Sequence, residues 1–241
     1  MMTRFPGTFM RWARRLAACG AVALTLGAAS LAAAETNASP DAAADFVKGL
    51  FDRARGLSAR PDSRDPERNR QLLAFVRTGV DLVAIARFST GPFWKQASDA
   101  ERDRFLILFE TFVAQTFGRR LGELTGHELK IVKAVAVAPG SDDSRDMLVM
   151  SRFIGQDSRA FGVDWRVRMS DTGPRIIDLV VEGISMAVAQ RDEFITVIRN
   201  GGGKFAALIA KLEEWTANPD DAVAQKSDFK PTNARAKTIK R

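Results

Sequence analysis

The sequence predicts an α+β domain, with a four-stranded antiparallel twisted sheet packed with helices on its N- and C-terminal sides. Three observations carry this prediction. Apolar residues recur at helical spacing from 46 to 121, switch to strand-like spacing from 129 to 182, and return to helical spacing up to 215. The strand-like segments are separated by short turn-forming stretches, which connect antiparallel rather than parallel neighbours. Helices before and after an uninterrupted run of strands leave one arrangement, helices layered on a sheet.

The first residues stand apart from that domain. Arg4, Arg11, Arg14 and Arg15 form a positive stretch with no acid, Leu16 to Leu31 is apolar, and Ala32-Ala33-Ala34 offers a small-residue cleavage site before Glu35. That order predicts a signal peptide over 1–34, cleaved after Ala34, and export of the mature chain. The apolar run is short for a membrane span, which needs about 20 residues. Leu16-Ala17-Ala18-Cys19 resembles a lipoprotein box, but Cys19 follows Arg15 too closely for an apolar run to precede it. Arg14-Arg15 lacks the flanks of a twin-arginine signal.

Ser39 is a helix cap with Pro40 at the first helical position, and Phe46, Val47, Leu50, Phe51, Ala54 and Leu57 then share a face. Asp65-Pro66 gives the same start signal for a helix carrying Leu72, Leu73, Phe75, Val76 and Val80. Ser98 and Glu101 form a capping box that opens a long helix with Phe105, Leu108, Phe109, Phe112, Phe117 and Leu121 on its apolar side. Residues 129–137, 146–154, 160–169 and 175–182 read as strands, separated by Pro139-Gly140, Gln156-Asp157 and Asp171-Thr172-Gly173-Pro174. Two helices follow, over about 184–199 and 204–215, with Gly201-Gly202-Gly203 ending the first. Beyond Thr216 the chain is polar and without periodicity, which predicts a disordered basic tail over 216–241. The domain proper is therefore 35–215.

The charge confirms this division. The chain has 36 basic and 29 acidic residues; the first 34 residues hold four basic and no acidic ones, residues 216–241 hold six and three, and 35–215 holds 26 of each. The net charge of +7 belongs to the two ends. An electrostatic case for nucleic acid therefore fails for the domain, and no nucleic-acid partner is expected. The tail's basic residues suit peripheral contact with an anionic membrane.

Catalytic chemistry finds little material. The one cysteine is Cys19, so the mature chain has no disulfide, thiol nucleophile or thiolate metal site. His127 is the single histidine, which excludes familiar histidine metal clusters. A hydrolase using His127 lacks the G-x-S-x-G elbow, and a capping or solvent-facing role fits His127 better. Gly201-Gly202-Gly203-Lys204 lacks the spacing of a phosphate loop. No enzyme, catalytic residue, metal or cofactor is expected. The 16 Phe and four Trp carry the aromatic content with no tyrosine hydroxyl, which favours apolar burial.

The strands hold an apolar surplus. Met147, Val149 and Phe153 alternate with Leu148, Met150 and Ile154, and Ile177, Leu179 and Val181 alternate with Ile176 and Val180, so much of the sheet reads as buried on both faces. The third strand alternates cleanly, with Phe161, Val163, Trp165, Val167 and Met169 opposite Asp164, Arg166 and Arg168. From pattern alone an ordinary sheet between two helix layers is the preferred reading and a face lining a cavity the alternative; a filled core and a pocket look the same in sequence.

Asp178-Leu-Val-Val-Glu182-Gly183-Ile-Ser185-Met186, then Gln190-Arg191-Asp-Glu193-Phe194, then a glycine turn and Leu208-Ile209-Ala-Lys-Leu212, resembles the MlaC-type (toluene-tolerance auxiliary) family. Upstream, Phe93-Trp94-Lys95-Gln96-Ala97-Ser98 with Glu101, Arg104 and Phe105 is similar to that family's W-[RK]-x-A-[ST] segment. The resemblance spans about 41–215, with departures at Phe117, where the family often has tyrosine, at the triple glycine and in the basic tail. It implies a periplasmic carrier that holds phospholipid chains in an apolar pocket between sheet and helices. The carrier would exchange lipid between an outer-membrane lipoprotein complex and an inner-membrane ABC transporter with a substrate-binding MCE-type component. A related branch accompanies hopanoid biosynthesis genes and implies a hopanoid cargo instead; a non-lipid adaptor with a filled core is the remaining alternative. On this footing Val149, Phe153, Val163, Trp165, Val167, Leu179 and Val181, alternating on consecutive strands, are the expected pocket wall, with Phe112 from the long helix. Gly183 is expected to permit the turn after the last strand, and Arg191 to pair with an acid such as Glu182.

Overall fold

A computed structural model describes residues 38–58, 66–120, 126–137 and 145–218. The expected signal peptide, the Pro139-Gly140 turn and nearly all of the basic tail lie outside the described residues.

The element order is α1 (Pro40–Ser58), α2 (Pro66–Gly79), α3 (Leu82–Thr90), α4 (Phe93–Gln96), α5 (Asp99–Arg120), β1 (Glu128–Ala136), β2 (Arg145–Ile154), β3 (Ala160–Met169), β4 (Arg175–Val181), β5 (Ile184–Ser185), α6 (Met186–Asn200) and α7 (Phe205–Ala217). The sheet is an antiparallel meander in the order β1-β2-β3-β4-β5. The α+β class holds, with one strand more than expected. Glu182 and Gly183 both have positive φ (48° and 83°), the backbone that a two-residue hairpin needs. That hairpin folds Ile184 and Ser185 back onto Val181 and Val180. A two-residue strand has too little periodicity to be seen in sequence.

Local chemistry sets the helix ends. Ser39 Oγ accepts from the Ala42 amide at 3.1 Å. The Ser98–Glu101 box closes in both directions, Ser98 N–H donating to Glu101 Oε2 at 2.9 Å and Glu101 N–H to Ser98 Oγ at 3.3 Å. Helix α3 was not expected; Asp81 starts it by accepting from the Ala84 amide at 2.9 Å. At the end of α6, Gly203 N–H reaches Ile198 O at 2.9 Å, with Gly202 and Gly203 in the left-handed region. Helix α7 runs to Ala217, two residues past the expected end.

Two irregularities decide which side chains face the helices. In β1 the register shifts between Ile131 and Lys133, leaving Val132 60 % exposed. In β4 it shifts after the Val167↔Ile176 pair, so that Trp165 faces Leu179 and Val163 faces Val181. The extra residue of a bulge changes the side to which the chain's alternation points. Ile176, expected on the face opposite Leu179, therefore joins Val167 and Met169 in the core.

The core divides into four clusters. One is all-helical, built from α3 to α7 around Phe105, Phe109, Phe112, Phe194, Leu208 and Leu212. A second presses Val47 and Leu50 of α1 onto Met147, Val149, Val167 and Ile176. A third joins α1, α2 and α5 through Ala54, Leu72, Val76 and Ala114, and a fourth packs Phe51 against Phe153 and Val163. Every sheet residue in these clusters lies on one face. The expected burial of the sheet on both faces is thus overturned: Leu148, Met150, Ile154 and Val180 point away from the helices, stay half-buried, and join no cluster.

Candidate functional site

Where the four clusters meet they do not close on one another. A cavity of about 200 Å³ lies there, and it takes wall residues from each: Phe109 from the helical cluster, Leu50 and Ile176 from the sheet cluster, Ala54 and Val76 from the third, and Phe51 from the fourth. Helical spacing explains the convergence. Leu50, Phe51 and Ala54 share one side of α1, Phe75, Val76 and Gly79 one side of α2, and Phe109, Val113 and Phe117 one stripe of α5. Trp165 and Leu179 form the sheet's contribution, and Ile85, Met186, Ala187 and Gln190 close the side formed by α3 and α6.

The polar groups at this wall already have partners. Trp165 Nε1–H donates to Ser151 Oγ at 2.9 Å, and that hydroxyl donates to Val163 O at 2.6 Å, so the indole is fixed with its proton satisfied. Asp178 accepts from Ser185 Oγ at 2.6 Å and from the Ala187 amide at 2.9 Å, which commits its carboxylate to the start of α6. Gln190 donates to Glu193 at 2.9 Å. An apolar wall with committed polar groups favours hydrocarbon and offers no recognition to a buried polar ligand.

Of the expected wall residues, Trp165 and Leu179 line the cavity. Val149 and Val167 are fully buried beneath α1, in packed core. Phe153, Val163 and Val181 belong to the cluster around Phe51, whose ring meets Phe153 edge-on at 5.4 Å. Phe112 lies in the helical core, stacked on Trp215 at 5.6 Å. The wall residues of α1, and Phe75, Val76, Phe109 and Phe117, read in sequence as apolar faces, whereas Val113 and Ile85 did not, and an apolar stripe looks the same whether it meets side chains or space.

The other residues singled out take structural places. Arg191 does not pair with Glu182; it donates to Phe88 O at 2.6 Å and lies 5.2 Å from the Phe88 ring centre, tying α6 to the end of α3. Glu182 instead accepts from the Gly162 amide across the sheet. His127 sits 5.7 Å from the Phe161 ring. Among the described residues no group of His, Cys, Asp and Glu is arranged to hold a metal, and no helix is long and apolar enough to cross a membrane.

A model of the MlaC protein family matches residues 44–214, which include every residue that lines the cavity. Among solved structures, a phospholipid-binding protein from Ralstonia solanacearum, determined in complex with a phospholipid, aligns with a TM-score of 0.58 at 20 % sequence identity. The alignment covers 72 % of this chain and 96 % of that one, and it shows that the two share a fold.

Proposed function

This chain belongs to the MlaC family, and from that premise we propose that it is a periplasmic carrier that holds phospholipid acyl chains in the cavity between sheet and helices. The observation that carries the reading is the apolar-lined gap at the meeting of four core clusters. The phospholipid bound by the Ralstonia protein of the same fold supports the choice of cargo.

The physics of the cargo explains the design. Each methylene buried is worth about 0.8 kcal/mol, so a chain of about fifteen costs roughly 12 kcal/mol to expose to water. A lipid crosses an aqueous space only inside something comparably apolar, and by the same arithmetic it is not released into solution. The carrier must dock and pass the chains to another apolar site, here an inner-membrane ABC transporter with an MCE-type component at one end and an outer-membrane lipoprotein complex at the other. None of this requires a catalytic group, and the reading is of a non-enzyme. Asp178, the one charged wall residue, is committed to α6, so the chains enter first and the headgroup stays toward water.

Mass spectrometry of the organic extract from natively purified protein tests the proposal. Stoichiometric phospholipid is the expected result. Hopanoid in its place would change the cargo, and an extract empty of lipid would favour a filled adaptor and overturn the carrier reading.

A further inference from the structure

The face of the sheet that points away from the described helices carries an arrangement that folding alone does not favour. Lys130 of β1 stands directly opposite Arg152 of β2, and Arg168 of β3 opposite Arg175 of β4. Like charges directly opposed across strands are destabilising. Arg168 is held by Asp146, with N–O distances of 2.9 and 3.2 Å, and Asp178, the residue paired with Arg166 across the strands, is committed to α6. What remains is Lys130, Lys133, Arg152 and Arg166, all exposed and without an acid partner among the described residues, against Glu128, Asp164 and Glu182, the last accepting from the Gly162 amide.

Apolar side chains lie between these cations. Leu148 pairs with Val135 on one side and Arg166 on the other, and Met150 pairs with Lys133 and Asp164. Val135, Leu148, Met150 and Ile154 are half-buried and join none of the core clusters. A face that mixes cations lacking an acid partner among the described residues with half-buried aliphatic groups complements the interfacial layer of an anionic bilayer, where phosphates meet acyl chains. An acidic protein surface would satisfy the cations and leave the aliphatic groups without a role.

We propose that this face docks on a lipid bilayer bearing anionic headgroups, with Lys130, Lys133, Arg152 and Arg166 meeting phosphates and Leu148, Met150 and Ile154 entering the interface. The inference goes beyond the carrier reading, because it concerns the opposite side of the sheet from the cavity and does not depend on the cargo.

Co-sedimentation of the full mature chain with phosphatidylcholine vesicles, with and without phosphatidylglycerol, tests it. Binding is expected only to the anionic vesicles and is expected to weaken as salt rises. The triple variant K130E/R152E/R166E should bind at least about tenfold more weakly. A control with the same charge change at other exposed sites, R53E/K95E/K204E, should bind like the parent. M150S should lower the binding that survives at high salt. Circular dichroism melting checks the fold, and if the Glu triple is unfolded, K130Q/R152Q/R166Q provides the same reading. Equal losses in both triples would show a net-charge effect and overturn the proposal. So would a chain whose binding vanishes on removal of the tail after Trp215 while K130E/R152E/R166E binds normally. No binding by the parent at low salt would overturn the membrane assignment and leave an acidic protein as the occupant. Lipid extracted from K130E/R152E/R166E at the parent's level would keep failure of docking separate from failure of the carrier reading.

Discussion

Leu179 and Trp165 face one another across β4 and β3, and both line the cavity. A carboxylate at Leu179 would enter the apolar-lined cavity, where it either recruits water or takes up a proton, and both outcomes remove the apolar contact that the proposed acyl chain needs. Leu179→Glu should therefore keep its fold and lose at least about tenfold of its co-purified lipid; an unchanged lipid yield would sink the assignment. The same substitution at Val167 has a different outcome. Val167 is fully buried in packed core beneath α1, where an unpaired charge has no space to hydrate. Val167→Glu should destabilise by more than about 4 kcal/mol and be recovered as aggregate. Phe112→Ala separates packing from binding. Truncation of that ring, stacked on Trp215, should cost about 3–5 kcal/mol in chemical denaturation while the lipid per folded molecule stays constant.

The capping box at the start of α5 gives an element-scale prediction with a definite pH sign. The Ser98 amide first, and the Ser98 hydroxyl second, hold the Glu101 carboxyl below its ordinary value of 4.5. A depressed folded-state value means that Glu101 contributes stability above the unfolded value and loses it as pH falls through the lowered one. Ser98→Ala should cost about 1 kcal/mol at neutral pH, and its deficit against the parent should shrink in melts taken below pH 4.5. A deficit constant across that range would remove Glu101 from the account. Element boundaries of this kind were largely legible in sequence, because caps, glycine turns and strand alternation are local signals: β2, β3 and α5 begin within a residue of expectation. What was not legible depended on single residues. A register shift at Ile177 moved Ile176 into the core, Asp81 started an unexpected helix, and a turn at Glu182-Gly183 made a fifth strand. The candidate site was legible only in part for a related reason. Strand alternation identified the inner face with Trp165 and Leu179, but which part of an apolar face meets space is set by how four clusters fail to converge.

At the scale of the molecule, the cavity is small for its proposed cargo. A cavity of about 150 Å³ holds benzene, and this one is about 200 Å³, so as it stands it accepts a fraction of one acyl chain. A loaded carrier must therefore be a wider one, with α1 and α2 displaced from α5 and the sheet, and the cost of separating those walls is offset by burying methylenes at about 0.8 kcal/mol each. Cargo and fold stability are then linked, since a ligand that binds only the folded chain stabilises it in proportion to the logarithm of its saturation. Protein stripped of lipid should melt below the lipid-loaded form and recover when lipid is returned. Amide exchange should separate the two forms most in α1 and α2, which supply six wall residues: Leu50, Phe51, Ala54, Phe75, Val76 and Gly79. Ala54→Phe, which fills the gap with an aromatic ring, should melt above the stripped parent and take up less lipid, uncoupling the two quantities. If stripped and loaded protein melt together while Ala54→Phe still carries a full complement of lipid, the chains reside somewhere other than this cavity.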